Sequence, residues 1–155
     1  MEPVNKPIYG PSQRGVGLIE VLIAVLVLSI GFLGIAALQA KSLSTNNSAM
    51  ARSMAVVASY SILDAMRADR ANALAGTYNQ TVTADACPAT GSGLATDQLS
   101  VWCTQLANTL GANDTTTGVV SCSNTGDCTI TIQFDDSRAG TGGSATQQVI
   151  TRAML

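Results

Sequence analysis

Few residues in this sequence carry reactive groups in a pattern that suggests chemistry. The chain has no histidine, so the commonest general base and the commonest metal ligand are both missing. Its only lysines are Lys6 and Lys41, which leaves a serine–lysine hydrolase without an obvious second partner. The remaining candidates are one carboxylate, Glu20, beside an uncharged apolar run, and four cysteines far downstream. We predict that the protein is not an enzyme and needs no cofactor.

Length and charge narrow the class of protein further. The chain has 155 residues, which is room for one ordinary domain, and its formal net charge is −2. Its lysines and arginines are scattered and form no basic block. Because nucleic-acid affinity depends on clustered cations, we predict that the protein does not bind nucleic acid.

The segment 16–40 is long enough to cross a membrane as a helix. Its 25 residues would measure about 37 Å, against a hydrocarbon core about 30 Å thick. Lys6 and Arg14 precede the segment and Lys41 follows it. This charge distribution favours a cytoplasmic N-terminus and an exported C-terminal part.

Three interpretations of this apolar segment compete. A cleaved secretory signal would have a shorter core, and a cut before Lys41 would put Leu38 at the −3 position, where such signals have a small residue. A plain membrane anchor explains the length of the segment, with Glu20 reaching the lipid headgroups. The third interpretation gives Glu20 a function, because a carboxylate within a spanning helix is costly and usually marks one.

That function has a physical basis if the chain is cut between Gly15 and Val16. Cleavage would leave an ammonium group on Val16, about 6 Å along the helix from Glu20. In a staggered bundle of such helices, Glu20 of one subunit would pair with the Val16 ammonium of its neighbour. An unpaired Glu20 would remain costly, so the carboxylate would select the correct stagger.

The four cysteines predict two disulfides in the exported part of the chain, with three possible connectivities. Cys122 and Cys128 flank a turn between two strand-like segments, so we favour a bridge between them, which leaves Cys87 with Cys103. A zinc site made by all four is the alternative. It lacks both paired C-x-x-C spacing and any histidine.

Hydrophobic periodicity predicts the elements that hold these residues. The helix of the apolar segment should continue over 41–75 and stop at Gly76, packing one face on the following sheet. A second helix should be capped by Thr96 or Asp97, with Trp102 as a core anchor. Three segments have the composition of strands: 119–120 leading into the turn, 129–134 after it, and 146–155 at the end.

Three aspartates raise the possibility of a calcium site. Asp127, Asp135 and Asp136 supply the oxygen ligands that calcium prefers, but their spacing is unlike that of an EF-hand loop. We predict instead that they are solvated loop carboxylates. The Gly-rich segment 137–147 is expected to be a flexible connection between strands.

The stretch "RGVGLIEVLIAVLVLSIGFLGIAALQ" resembles the N-terminal signal of type IV prepilins and pseudopilins. Within that superfamily, Leu18–Leu22 and Leu28–Gly34 resemble the PilV subfamily of minor pilins. The later Trp102 helix and the Phe134-Asp135-Asp136 strand end are also similar to it. The resemblance implies cleavage after Gly15 and methylation of the Val16 amine by prepilin peptidase.

The resemblance also implies a fold and a role. The fold would be α+β and type IV pilin-like: leader 1–15, transmembrane and filament-core helix 16–40, amphipathic continuation 41–75, and a periplasmic, disulfide-stapled α+β head 76–155. The protein would start in the inner membrane and enter the cell-surface pilus as a minor subunit. There it would help prime assembly with other minor pilins, the major pilin and a tip adhesin, supporting twitching motility and adhesion. The alternatives are a minor pseudopilin of a type II secretion system and a single-pass periplasmic binding module.

Overall fold

A computed structural model describes Gly15, residues 17–140 and residues 142–155. The predicted leader apart from Gly15, and the predicted methylation site Val16, lie outside the described residues. The chain divides into two compact units, with the boundary between Gln39 and Ala40.

The first helix, α1, runs over Leu18–Ala68 and contributes to both units. Gly17 precedes the helix, and its carbonyl accepts hydrogen bonds from the backbone amides of Glu20 and Val21 at 3.0 and 3.3 Å. Within the apolar segment the Ser29 hydroxyl donates to the carbonyl of Val25 at 2.7 Å, so its polar group is satisfied inside the helix. The long N-terminal helix expected from the sequence is confirmed.

The end of this helix differs in detail from the expectation. α1 stops at Ala68, and a short helix, α2 (Arg70–Leu74), follows after a turn at Asp69. The Asp69 carboxylate accepts hydrogen bonds from the side-chain amide of Asn72 at 2.9 Å and from the Tyr78 hydroxyl at 3.1 Å. Such side-chain bonds offer an alternative to regular helix, and Asp69 accordingly has non-helical dihedrals (φ −119°, ψ 49°).

Four strands form one antiparallel sheet in the order β1-β2-β3-β4. They are β1 (Thr81–Thr83), β2 (Thr117–Cys122), β3 (Asp127–Phe134) and β4 (Gln147–Met154). The two longest strands pair without interruption, from Asp127 opposite Met154 to Phe134 opposite Gln147. The alternation of side chains along β3 places its even-numbered residues, Cys128 to Phe134, in the core.

The helix α3 spans Leu94–Leu110, so it starts earlier than the expected cap at Thr96 or Asp97. Gly93 is the N-cap and provides no side-chain bond. The extra turn buries Ala95, which is only 5 % exposed. Asp97 instead lies in the first turn, where its carboxylate accepts the amide of Gly91 at 2.6 Å and faces the positive end of the helix dipole.

The core of the second unit lies between one face of α1, the helix α3 and the inner face of the sheet. Trp102 is buried there, as expected. The other large members are Ile62, Leu63, Met66, Tyr78, Leu99, Leu106, Ile130, Ile132 and Phe134. The α+β class, with a long apolar N-terminal helix and a small antiparallel sheet, is therefore confirmed.

Candidate assembly site

The N-terminal part of α1 presents a largely apolar surface that no other part of the described chain covers. Every residue from 17 to 43 is exposed, and large side chains there range from 49 % exposed at Val21 to 87 % at Leu18. The most apolar window of the helix has a mean hydropathy of 2.9, and none of it is buried. Within the described part of the chain, α1 is the one helix long and apolar enough to cross a membrane. A surface of this kind requires lipid or other apolar helices around it.

Glu20 lies in the first turn of α1 with its side chain exposed. Among the described residues, its carboxylate has no hydrogen-bond or ion-pair partner. The helix N-terminus favours a negative charge at this position, but the dipole alone does not replace the lost hydration of a carboxylate in an apolar environment. The partner expected for Glu20, the Val16 amine, lies outside the described residues.

The four cysteines form two disulfides, Cys87–Cys103 and Cys122–Cys128. This is the pairing that the sequence favours, and it leaves no free thiolate for zinc. The first bridge ties the segment after β1 to α3. The second joins directly opposite residues of β2 and β3 across a four-residue turn.

A buried tyrosine closes the C-terminal end of α1. The Tyr78 side chain is fully buried, and its hydroxyl donates to Asp69 at 3.1 Å. Burial, together with this hydrogen bond and the negative charge of Asp69, raises the pKa of Tyr78 to about 12. The break in the helix at Asp69 is thereby fixed by a contact with a residue nine positions later.

Asp136 is the main residue whose role the sequence analysis missed. The expectation of a solvated carboxylate is wrong here, because Asp136 is only 6 % exposed. Its Oδ2 atom accepts a hydrogen bond from the Ser48 hydroxyl at 2.6 Å and pairs with Arg52 Nη2 at 3.3 Å. Ser48 and Arg52 are four residues apart on α1, so one buried carboxylate connects the end of β3 to that helix. The available sequence signal was the spacing of Ser48 and Arg52, which puts two polar side chains on one face of the helix.

The segment after Asp136 is anchored by further polar contacts instead of being a free connection. Ser137–Ala139 forms a short 3₁₀ helix, and the Ser44 hydroxyl donates to the carbonyl of Arg138 at 2.5 Å. Arg52 also donates to the carbonyl of Gly142 at 3.4 Å and to the Gln147 side chain at 3.2 Å. The expected connection between β3 and β4 therefore makes specific contacts with α1.

The structure does not bring the three candidate calcium ligands together. Asp127 begins β3, whereas Asp135 and Asp136 follow its far end. The exposed Asp135 accepts the Ser137 amide at 2.8 Å, and hydrogen bonds from the Ser137 side chain and backbone lower the pKa of Asp135. Among the described residues, no group of three or more acidic, cysteine or histidine side chains is placed to hold a metal ion.

Comparison with known proteins gives one result, and it concerns the N-terminus. No curated protein and no solved structure matches the chain. Residues 10–36 match the family described as the prokaryotic N-terminal methylation motif. The matched residues include Gly15, Val16, Glu20 and the apolar segment as far as Ala36. This motif implies processing by a prepilin peptidase and association with a membrane or pilus, and it indicates a type IV pilin-like protein.

Proposed function

We propose that the protein is a minor type IV pilin, a structural subunit that helps to prime pilus assembly. The observation that carries this proposal is the methylation motif at residues 10–36, which includes the first part of α1, where the most apolar stretch of the helix is not buried. The C-terminal part of the same helix packs in a small disulfide-bonded head. A helix that is apolar at one end and packed on a sheet at the other suits a subunit stored in a membrane and then transferred into a filament.

In the proposed pathway, the precursor spans the inner membrane once, with its N-terminus in the cytoplasm and residues 76–155 in the periplasm. Prepilin peptidase cuts between Gly15 and Val16 and methylates the new amine. The segment 16–40 then moves from lipid into the filament core, while 41–75 supports the head. Oxidation of the four cysteines agrees with an exported head, since disulfides form in oxidising compartments.

Glu20 is the proposed determinant of position in the filament. Its carboxylate is exposed in the first turn of α1 and stands within a surface that is otherwise apolar. Pairing with the Val16 ammonium of a neighbouring subunit would offset the desolvation of both charges. The resemblance to PilV further suggests a complex near the pilus tip with other minor pilins and an adhesin, acting in twitching motility and attachment.

The first test is the N-terminus of the protein isolated from cells that contain a prepilin peptidase. Mass spectrometry should find a chain beginning at Val16 with one added methyl group. In a peptidase-deficient strain, the same protein should keep its first fifteen residues. A chain that starts at Met1 in both strains, or one cut near Ala40, would contradict the proposal and favour a plain anchored module or a secreted protein.

A second test separates a pilus from a secretion apparatus, because the same motif serves both. Deleting the coding sequence should reduce surface pili and twitching motility, while leaving protein secretion through the outer membrane unchanged. Complementation with the wild-type chain is the control. Loss of secretion with normal pili would instead identify a minor pseudopilin of a type II secretion system.

A further inference from the structure

A short part of the head lies over a row of polar side chains on α1. Ser44, Ser48 and Arg52 follow one another at intervals of four residues, so they share one face of the helix. We name Ser137–Gly140 the cover segment, since the carbonyl of its Arg138 accepts the Ser44 hydroxyl. Asp136, immediately before the cover segment, contacts the other two residues of the row.

The cover segment is held by polar contacts and contributes almost nothing to the apolar core. None of the residues of its 3₁₀ helix is buried. Ser137 and Arg138 are exposed and Ala139 is half-buried. Two open clefts, of about 270 and 320 Å³, are each lined by Ala139 of the cover segment and by Ser48 of α1. Each cleft has room for several water molecules, so water can reach these polar contacts.

The neighbouring strand β3 is held in a different way. Its Ile130, Ile132 and Phe134 are at most 1 % exposed and belong to the main core. Regions with few buried apolar contacts open locally at a lower free energy than regions in the core. The boundary between these two kinds of stabilisation lies at Asp135 and Asp136, directly after β3.

We propose that the cover segment opens as a local unit while the sheet stays folded. The contacts of Asp136 with α1 keep the segment closed, and we call this residue the latch. Among the described residues, the Asp136 carboxylate is the one group that ties the start of the segment to both Ser48 and Arg52. Opening exposes the hydroxyl groups and the guanidinium group of the α1 row. The inference does not depend on the pilus role proposed above, since it concerns only the head and its own contacts.

Hydrogen exchange of the full-length protein in detergent micelles tests this proposal. The reporters are the amides of Asp136, Ala139 and Gly140, which donate to Ser144, Asp136 and Ser137 respectively. In the wild-type protein they should exchange much faster than the amides of Ile130 and Ile132, and at a rate that low urea concentrations do not change. Equal protection of the two groups of amides would overturn the proposal.

Asp136→Asn removes the charge of the latch with little change in side-chain volume. Exchange at the reporter amides should become faster by on the order of 10-fold, since hydrogen bonds to a charged group are the stronger ones. Exchange in β3 should stay near the wild-type rate. Asp135→Asn is the matched control, because that carboxylate is exposed and asparagine keeps the oxygen that accepts the Ser137 amide.

A second substitution approaches the latch from α1. Ser48→Ala removes the hydroxyl that donates to Asp136 and leaves the cover segment itself unaltered. It should accelerate the same reporter amides, although less than Asp136→Asn does. The proposal fails if Asp136→Asn and Asp135→Asn behave alike, or if every variant accelerates β3 as much as the cover segment.

Discussion

The indole nitrogen of Trp102 donates a hydrogen bond to the backbone carbonyl of Ala58, at 2.9 Å. This bond joins α3 to α1 in the middle of the core. Ala58 is fully buried, and its small side chain lets the indole ring approach the helix backbone. On the other side, β2 comes close enough that a Cβ atom on Gly118 would lie 2.7 Å from Cζ3 of Trp102. The ring is therefore enclosed between α1 and the sheet.

The closeness of Gly118 to Trp102 predicts that Gly118→Ala destabilises the head. The added methyl group would also lie 2.8 Å from Leu106 Cδ1, so both side chains would have to move within a packed core. Overpacking of this kind typically costs about 1–3 kcal/mol in the free energy of unfolding. Urea denaturation followed by tryptophan fluorescence measures the change directly. Ser121→Ala, at an exposed position of the same strand, is the control and should have little effect.

The two disulfides should contribute unequally to stability. Cys87–Cys103 closes a loop with a sequence separation of 16, and Cys122–Cys128 closes one of 6. Loop-closure entropy then predicts a loss of about 3 kcal/mol for the Cys87→Ser/Cys103→Ser double variant and about 2 kcal/mol for the Cys122→Ser/Cys128→Ser one. Denaturation of both variants at neutral pH tests this order. A larger loss for the hairpin pair would show that its contacts in the folded state outweigh the entropy.

The raised pKa of Tyr78 predicts a loss of stability in alkali. The unfolded chain ionises its tyrosines near pH 10, whereas Tyr78 in the folded protein stays neutral up to about pH 12. The contribution of Tyr78 to the free energy of unfolding is therefore complete below pH 10. It declines between pH 10 and 12, by at most roughly 2–3 kcal/mol.

Thermal unfolding of the wild-type protein and of Tyr78→Phe, between pH 8 and 11, tests this prediction. The variant should be less stable at pH 8, because it lacks the hydrogen bond to Asp69, but should lose less stability as the pH rises. Tyr60→Phe, at a residue that is 52 % exposed, should keep the wild-type pH dependence. Parallel curves for the wild type and Tyr78→Phe would contradict the assignment.

Replacement of Glu20 should separate processing from assembly. Glu20→Ala and Glu20→Gln should both be cleaved after Gly15, yet their amount in sheared filaments should fall by on the order of 10-fold. The reason is that, in either variant, the Val16 ammonium of the neighbouring subunit would lack a negative partner inside an apolar helix bundle. Immunoblots of membrane and filament fractions measure both steps.

Ser29→Ala is the matched control for the Glu20 variants. It also removes a polar group from the apolar segment, but that hydroxyl is already satisfied by the carbonyl of Val25. It should enter filaments normally. Wild-type amounts of Glu20→Gln in filaments would rule out the role of the charge in setting the stagger.

Much of the fold follows from local patterns in the sequence. Alternation of threonine and isoleucine predicts β3, and the absence of proline and glycine after Lys41 predicts the continuation of α1. The predicted start of α3 was wrong. The helix begins at Leu94, before the expected cap at Thr96 or Asp97, and this earlier start buries Ala95. The break at Asp69 was missed, because it depends on a hydrogen bond to Tyr78.

Of the residues in the candidate site, some are evident from the sequence and others only from the structure. Glu20 is conspicuous in the sequence because it is a charge beside an uncharged run, which needs no knowledge of the fold. Asp136 is inconspicuous, because an acidic residue before a Gly-rich segment looks like any solvated loop residue. Its burial follows from contact with Ser48, which is 88 positions away in the chain.

The sequence by itself determined the apolar helix, its carboxylate, the methylation motif and the class of fold. These depend on composition and on spacings of a few residues, which are set by the geometry of a single helix or strand. The tertiary structure alone decided that Asp136 is buried, that Gly118 touches Trp102 and that the segment after β3 is tied to α1. Each of these is a contact between residues distant in the chain, and the energy of such a contact depends on which groups the fold brings together.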